Sequence, residues 1–567
     1  MNEALLTPKN LAILLDDLGD YSLERVTLVS RLVHSADAIS LLDKWRAEDD
    51  QVKHPGGRPS TTTDHAVLVL LLLLALENRP LHIETMSRIV SRKFSSETME
   101  FLGLADDNSA TEAWYHRLLG GIQNVLTVVD PCPLKNRRKK MSREDYEEED
   151  AARDPVETAI KHARLHLLMN AFREATWRGL PVEIQARWHG NTAVDGTLYS
   201  AFSKRPAYGS ARMSIEPDAG HWQREGNHEV DGQTVTSKIK KFGWDTHIAV
   251  TIANDSIYAP DFPVIGIAVG FDKPGVSVAE NTLALYQSLI SRGHAPGGIV
   301  ADLIYWAGQK VEKFHLPLTT LGYWPVTDYR TDQLGDKGGT QGALMVEGKF
   351  YCPHMKPDLI NATKLFLQDG DVATWRARIA QREYWEAKPK GLPDVDGYQR
   401  LMHPVNKRGL PVCDPARKNA DALQFCSQKS ITVSPEASAK FRQPLRFGSE
   451  EWLRMYGYER NCIETYNAYI KDESKQAFGT SSRRRIKGYT AQAVMASLLM
   501  TAANIRKINA FYIDQEKAEQ FALANPGSPR RKRRASSLQN WRSVPKSVDE
   551  SVINQFHGEN NEEGNTD

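Results

Sequence analysis

The sequence predicts an α/β protein: a mixed five-stranded sheet with flanking helices, preceded by an all-helical N-terminal domain and interrupted by an insertion before its last helices. Three observations predict it. Short β-branched runs bounded by Gly, Pro, Asn or Asp recur from Asn191 onward. Residues 1–130 instead carry apolar residues at helical spacing, and residues 336–445 follow neither rhythm before helical spacing resumes at Ser449.

Taken in order, LAILLDDL, LVSRLVHSADAISLLDKW, the leucine run after Asp64 and ETMSRIVSRKF make residues 1–130 helical. Gly57-Arg58-Pro59-Ser60 breaks the series. Residues 131–155 switch from basic to acidic with little apolar content, the composition of an exposed linker. The strands NTAVDGT, GWDTHIAVTIA and FPVIGIAVGF then predict an antiparallel meander. A helix over 276–290, the strand GGIVAD, a short helix near Tyr305 and the strand WPVTDY complete β-β-β-α-β-α-β within residues 156–335. Residues 336–445 are an insertion, 446–520 supply the closing helices, and 521–567 form a basic, then acidic, disordered tail.

Bulk properties bound the function. At 567 residues the chain exceeds one core and divides into several units. Its longest apolar run, residues 66–76, is shorter than the roughly 18 residues of a membrane span and predicts a buried helix. The N-terminus lacks the pattern of a secretion signal, and five scattered cysteines fit a reducing cytoplasm. With a net charge of +1, affinity for nucleic acid must come from local basic runs, at 135–140, 483–487 and 530–534.

Two aspartates stand at strand ends: Asp195, followed by a glycine, and Asp302. Neighbouring strand ends bring distant carboxylates together, and such pairs hold magnesium, although a capping or turn aspartate fits the same position. In RNCIETYNAYIK, Arg460, Glu464, Asn467 and Lys471 share one helix face. That face sets one carboxylate between two cations; an exposed helix with ordinary ion pairs fits it equally well.

The motifs favour the first reading. VDGT resembles the first-aspartate motif of the DDE transposases of bacterial insertion sequences. VADLIYWAG is similar to their second, with Leu303 and Ile304 replacing the usual residues and Tyr305 retained. One large branch has a third motif of tyrosine, two residues, arginine, three residues, glutamate, six residues, lysine. Arg460, Glu464 and Lys471 keep those intervals, while Gly457 occupies the tyrosine position between Tyr456 and Tyr458. IEPDAGHW with KKFGWDTHIAV resembles the family's DPDA segment and second strand, and GRPS its N-terminal helical region, so the likeness runs from about residue 55 to 510.

The resemblance implies a ribonuclease H-like core and a transposase that cleaves DNA at element ends and transfers the strand into target DNA. Asp195, Asp302 and Glu464 are then the catalytic, metal-binding residues for two Mg2+ ions about 3.5–4 Å apart, with Mn2+ able to substitute. Asp195 would bridge the ions, and by the same fold analogy the helical residues 1–130 would be the DNA-binding domain, with a helix-turn-helix reading the terminal inverted repeats. Arg460, Lys471, Arg483, Arg484 and Arg485 are the expected phosphate contacts. The implied partners are double-stranded DNA, as terminal inverted repeats and target, and further copies of the chain in a dimer or larger complex; the implied location is the bacterial cytoplasm, beside the nucleoid. Two alternatives stand beside it: a transposase-derived DNA-binding protein without catalysis, and a nuclease that cuts without rejoining. Asp245, Asp328, Glu459 and Glu473 are weaker candidates for the third acid.

Two further signals are weighed on the residues alone. Cys352, His354, Cys413 and Cys426 could ligate zinc, but their spacing lacks a close second pair, so buried thiols are expected. Trp306 and Trp324 could stack on an unpaired base, but aromatics in such segments usually fill a core.

Overall fold

In the computed structural model the described residues open with seven helices: α1 (Pro8–Leu15), α2 (Leu23–Ser35), α3 (Ala38–Asp50), α4 (Asp64–Leu76), α5 (Ile83–Arg92), α6 (Ser96–Phe101) and α7 (Thr111–Val128). The structure describes residues 4–16, 18–50, 62–134, 140–207, 209–230, 233–413 and 423–528, with backbone alone at 50, 223–230, 233–239 and 423. The Gly57–Ser60 break, residues 135–139 of the first basic run, and the tail from 529 with its basic run lie outside the described residues. In α4 the Thr63 hydroxyl caps the first turn, and every residue from Ala66 to Leu76 is buried, as an all-apolar helix requires.

The expected charged linker is in part a packed element. Residues 143–151 form helix α8 (Arg143–Ala151), started by a reciprocal Ser142/Asp145 capping box. Its buried Tyr146 donates to Asp218 Oδ1 at 3.0 Å, anchoring the acidic stretch. Asp154 then caps α9 (Pro155–Arg178), a long helix buried on several sides, and α10 (Val182–Gln185) follows.

The main sheet comprises β1 (Thr192–Ser200), β2 (Gly220–Val230), β3 (Gln233–Thr251), β4 (Gly266–Asp272), β5 (Gly298–Ala301) and β6 (Trp324–Val326). α11 (Val278–Ser291) precedes β5, and α12 (Leu303–Trp306) and α13 (Leu316–Thr320) lie between β5 and β6. β1, β3 and β4 pair antiparallel, whereas β1, β5 and β6 run parallel, giving the order β4-β3-β1-β5-β6. β2 extends β3 beyond this block as a long hairpin absent from the sequence expectation. This is a mixed α/β fold with a curled mixed sheet.

The insertion holds two three-stranded antiparallel sheets. The first is β7 (Asp336–Thr340), β8 (Ala343–Val346) and β9 (Lys349–Tyr351), followed by α14 (Pro357–Ile360), α15 (Ala362–Asp369) and α16 (Val372–Gln381). β10 (Lys388–Pro389), β11 (Gln399–Met402), α17 (Leu423–Ser427) and β12 (Ser430–Val433) make the second. The chain closes with α18 (Glu450–Arg454), α19 (Arg460–Lys471) and α20 (Tyr489–Ala524).

Helices cover both sheet faces. At Gly266 the nearest side chains are Tyr466 of α19 and Met500 of α20, and at Gly270 Leu285 of α11. One hydrophobic core runs from Leu5 to Ile508, so residues 1–130 share their core with the sheet-bearing part instead of forming a detached domain. Arg506 of α20, for instance, donates to the Leu76 carbonyl that ends α4. No helix among the described residues is long and apolar enough to cross a membrane.

Asn504 ties this core together. Its amide bonds both the N–H and the C=O of Gly266, at 3.0 and 2.9 Å, and its oxygen accepts from Tyr466 Oη at 2.9 Å. Asn504→Leu would strand these buried groups, an expected loss of about 3 kcal/mol in unfolding free energy by chemical denaturation. An unchanged midpoint would show that these bonds add nothing net.

Candidate active site

Strand register determines where the acids meet. β1 and β5 are parallel with Val194 beside Ala301, so the next residues, Asp195 and Asp302, emerge side by side as β5 ends. Asp302 is also the N-cap of α12, accepting from Leu303 N at 2.6 Å. Across β1, α19 brings Glu464 to the same place. One arginine joins two of the acids: Arg460 Nη2 lies 3.4 Å from Asp302 Oδ2 and 3.5 Å from Glu464 Oε1. The three expected acids thus converge, and the shared face of Arg460, Glu464 and Asn467 is the one turned toward them.

Asp195 is the most enclosed of the three. It accepts from Gly196 N at 2.8 Å and from Asn467 Nδ2 at 3.1 Å. Burial pushes its carboxyl up to about 6, with the Asp302 and Glu464 charges adding to the rise and Gly196 and Arg460 opposing it. Arg460 responds in the opposite sense: burial disfavours its charge, but Tyr456, Asp302, Glu464 and Asp195 together hold it more firmly protonated than usual. The site is a crowded cluster of carboxylates, only partly neutralised by one guanidinium.

The glycine of VDGT has a steric reason. A Cβ at Gly196 would lie 3.2 Å from Tyr305 Oη, which bonds His247 Nδ1 at 3.0 Å. Tyr305 therefore packs α12 directly against β1, keeping Asp302 near Asp195. The displaced tyrosine of the third motif is also explained. Residues 455–459 form a π-helical turn that inserts one residue into the helix just before Arg460. Buried Tyr456, stacked on Trp452, lies under the Arg460 guanidinium, 5.9 Å from its ring centroid.

The expected phosphate contacts separate by environment. Arg484 is corrected: it is buried, lies 4.1 Å over the Tyr199 ring, and donates to the carbonyls of Ala477, Thr480, Phe478 and Ser200, so no donor face is left for DNA. Arg483 donates to the carbonyls of Glu473 and Asn78, bracing α5's approach. Arg485 is exposed over Phe202, and Lys471 is exposed with its charge acting on Asp245. Arg460 alone of the five touches the acids.

Of the competing acids, Asp328 emerges beside Asp302, because parallel β5 and β6 set Val300 against Val326, and its charge reaches Tyr456; Asp245, Glu459 and Glu473 lie elsewhere. Strand alternation puts Asp245 on the face opposite Asp195, where it pairs with Asp272 across β3 and β4. Asp328 and Glu473 accept from Tyr329 N and Thr480 Oγ1. Glu459 is fully buried and accepts from Ala253 N at 3.2 Å. Glu459→Gln is expected to cost about 2 kcal/mol of stability with cleavage by the folded protein unchanged. A loss of cleavage matching Glu464→Gln, at equal stability, would shift the third acid to Glu459. Trp306 is buried against Phe314 and His315, and so serves the core.

The role of Asn467 was not legible from its helix face alone; only the fold reveals its bond to Asp195. Comparison with protein-family models, curated proteins and solved structures finds no match to the chain.

Proposed function

We propose that the chain is a DNA transposase of the DDE type, which hydrolyses a phosphodiester at an element end and joins the freed 3′-hydroxyl to target DNA. One observation carries this reading: carboxylates from β1, β5 and α19 converge around Arg460. The strand order β4-β3-β1-β5-β6, with an antiparallel meander followed by two parallel strands, supports a ribonuclease H-like core beneath them.

The donor set suits a hard divalent cation. Its ligand atoms are carboxylate oxygens, and Asp195, whose carboxyl is raised first by burial and then by Asp302 and Glu464, is a group whose ionised form a cation would stabilise. Asp195, Asp302 and Glu464 would hold Mg2+, or Mn2+ in its place, and the bound metal would activate the attacking hydroxyl and stabilise the leaving oxygen. The protein's own groups handle orientation. Gly196 N–H and Asn467 fix the Asp195 carboxylate, while Tyr456 underlies Arg460. Arg460 steadies Asp302 and Glu464 and offers its charge to a DNA phosphate. Arg485 and Lys471 are exposed cations on the side of more distant phosphates, Lys471 with its charge also acting on Asp245.

The test uses the full chain with DNA carrying the inverted repeats that flank its gene. Cleavage followed by joining is expected with Mg2+ or Mn2+, and neither without a divalent ion nor with Asp195→Ala or Glu464→Ala. Cleavage without joining would identify a nuclease; binding alone would identify an inactive DNA-binding descendant. Either outcome rejects the proposal.

A further inference from the structure

The insertion contains a second donor set of different chemistry. Cys352 follows β9, His403 follows β11, Cys413 lies in the next loop and Cys426 is on α17. Their sulfur and imidazole nitrogen atoms all lie within 4.8 Å of one another, and all four residues are buried. Cys352 Sγ is 3.8 Å from Cys426 Sγ, and Cys413 Sγ is 3.4 Å from His403 Nε2. Four chain segments have to converge to produce this.

A disulfide does not account for it, since bonded sulfurs lie about 2.05 Å apart. Nor does ordinary apolar packing, which gives no reason for an imidazole nitrogen to face a thiol inside the cluster. Tetrahedral zinc does. With Zn–S near 2.3 Å and Zn–N near 2.0–2.1 Å, ligand atoms sit roughly 3.6–3.8 Å apart. The histidine is also prepared: His403 Nδ1 lies 2.9 Å from the Pro404 carbonyl, so Nδ1 carries the proton donated there and Nε2 presents its lone pair to the cluster. We infer that Cys352, His403, Cys413 and Cys426 form a structural zinc site.

This assignment changes both the expectation of buried thiols and the expected set of candidate ligands. His354, two residues from Cys352, is partly exposed, with Nδ1 at 3.9 Å from Cys352 Sγ and 3.6 Å from Cys426 Sγ. Having His403 in hand, the four-ligand shell is complete without it. The ion would clamp the end of β9 to the end of β11 and to α17, joining the two small sheets. The surrounding core needs such a clamp: among the described residues, three of its eleven buried apolar side chains are these cysteines. On binding, each thiol releases its proton and becomes the thiolate ligand.

The full chain, produced with zinc in the medium and purified without chelator, is expected to carry one zinc per chain by elemental analysis. Exchange for Co2+ should give thiolate-to-cobalt charge-transfer absorption and the intense visible bands of a tetrahedral site. Cys426→Ser and His403→Ala should lose the ion; His354→Ala, and the carboxylate variants Asp195→Ala and Glu464→Ala, should keep it. Wild type carrying less than a tenth of a zinc per chain, with no cobalt–thiolate band, overturns the site, and this reading needs no variant to fold. Zinc lost with His354→Ala but kept with His403→Ala overturns the choice of the fourth ligand.

Discussion

Asp195→Asn is expected to lower Mg2+-dependent DNA cleavage by about a thousandfold or more while leaving the metal-free protein more stable than wild type. The catalytic loss follows from removing one of the three carboxylates proposed to hold the metal. A metal contributes several kcal/mol to stabilising developing charge, and each 1.36 kcal/mol is a factor of ten in rate. The gain in stability follows from linkage. The Asp195 carboxyl is raised to about 6 in the fold, by burial first and then by Asp302 and Glu464. A carboxyl raised above its unfolded value makes folding most favourable while protonated, and that advantage disappears as pH climbs through the folded value. At pH 8 the ionised side chain therefore costs up to about 3 kcal/mol, which asparagine removes. Melting of the two metal-free proteins should coincide near pH 4, diverge as pH rises to about 6, with the variant higher, and keep that gap above 6. Added Mg2+ should raise the wild-type midpoint and leave the variant's where it was. A variant that loses activity and melts lower at pH 8 would make Asp195 a structural residue, and the proposed metal centre would fail with it.

How much of this was legible depends on whether the cause was local. β1, β3, β4 and β5 were readable because buried strands need unbroken β-branched runs, and α4 because a helix surrounded by core is apolar on every side. α9 gave no signal: Arg164, Asn170, Arg173 and Glu174 are buried within it, and their partners, not their polarity, decide their place. β2 was missed because HWQREGNHEV has no apolar alternation. Separate N-terminal and sheet-bearing units were expected because composition changes between them, whereas their shared core rests on contacts such as Leu76 to Arg506, 430 residues apart. At the site, helical periodicity placed Arg460, Glu464 and Asn467 on one face. It could not assign Asn467 a partner 272 residues away, nor tell Arg484 in the core from Arg485 in solvent when both stand in one basic run. His403 escaped for a similar reason, since only the packing of β11 against β12 carries it to the cysteines.

Arg382→Met is expected to cost about 3–5 kcal/mol, because it leaves a buried carboxylate without its cation. Arg382 and Glu347 are both fully buried, joined at 2.6 Å. The rest of the pair is satisfied: Glu347 accepts from Thr363 Oγ1 and Gly335 N, and Arg382 donates to the Leu359 and Ile360 carbonyls. Glu347 and Gly348 form the two-residue turn between β8 and β9, with φ of +43° and +100°. Hairpins prefer Asn-Gly or Asp-Gly there, and a glutamate in the left-handed region costs about 1–2 kcal/mol. The ion pair outweighs that strain and so determines the residue at the turn. Gly348 in turn lies against Gln443, where a Cβ would stand 2.6 Å from Cγ, and Gln443 bonds Trp452 Nε1 of α18 and both the N–H and the C=O of Thr327. α18 runs through the π-helical turn into α19, the helix of Glu464. Loss of the Arg382 guanidinium should therefore loosen the β8–β9 hairpin first and reach the Glu464 helix second. Hydrogen exchange should accelerate at residues 343–351 before it does so at 460–471, and the paired change Arg382→Met with Glu347→Met should recover part of the lost stability by removing the stranded charge. If Arg382→Met leaves exchange in the hairpin at its wild-type rate, the ion pair does not restrain the turn, and the insertion is held to the Glu464 helix by other contacts.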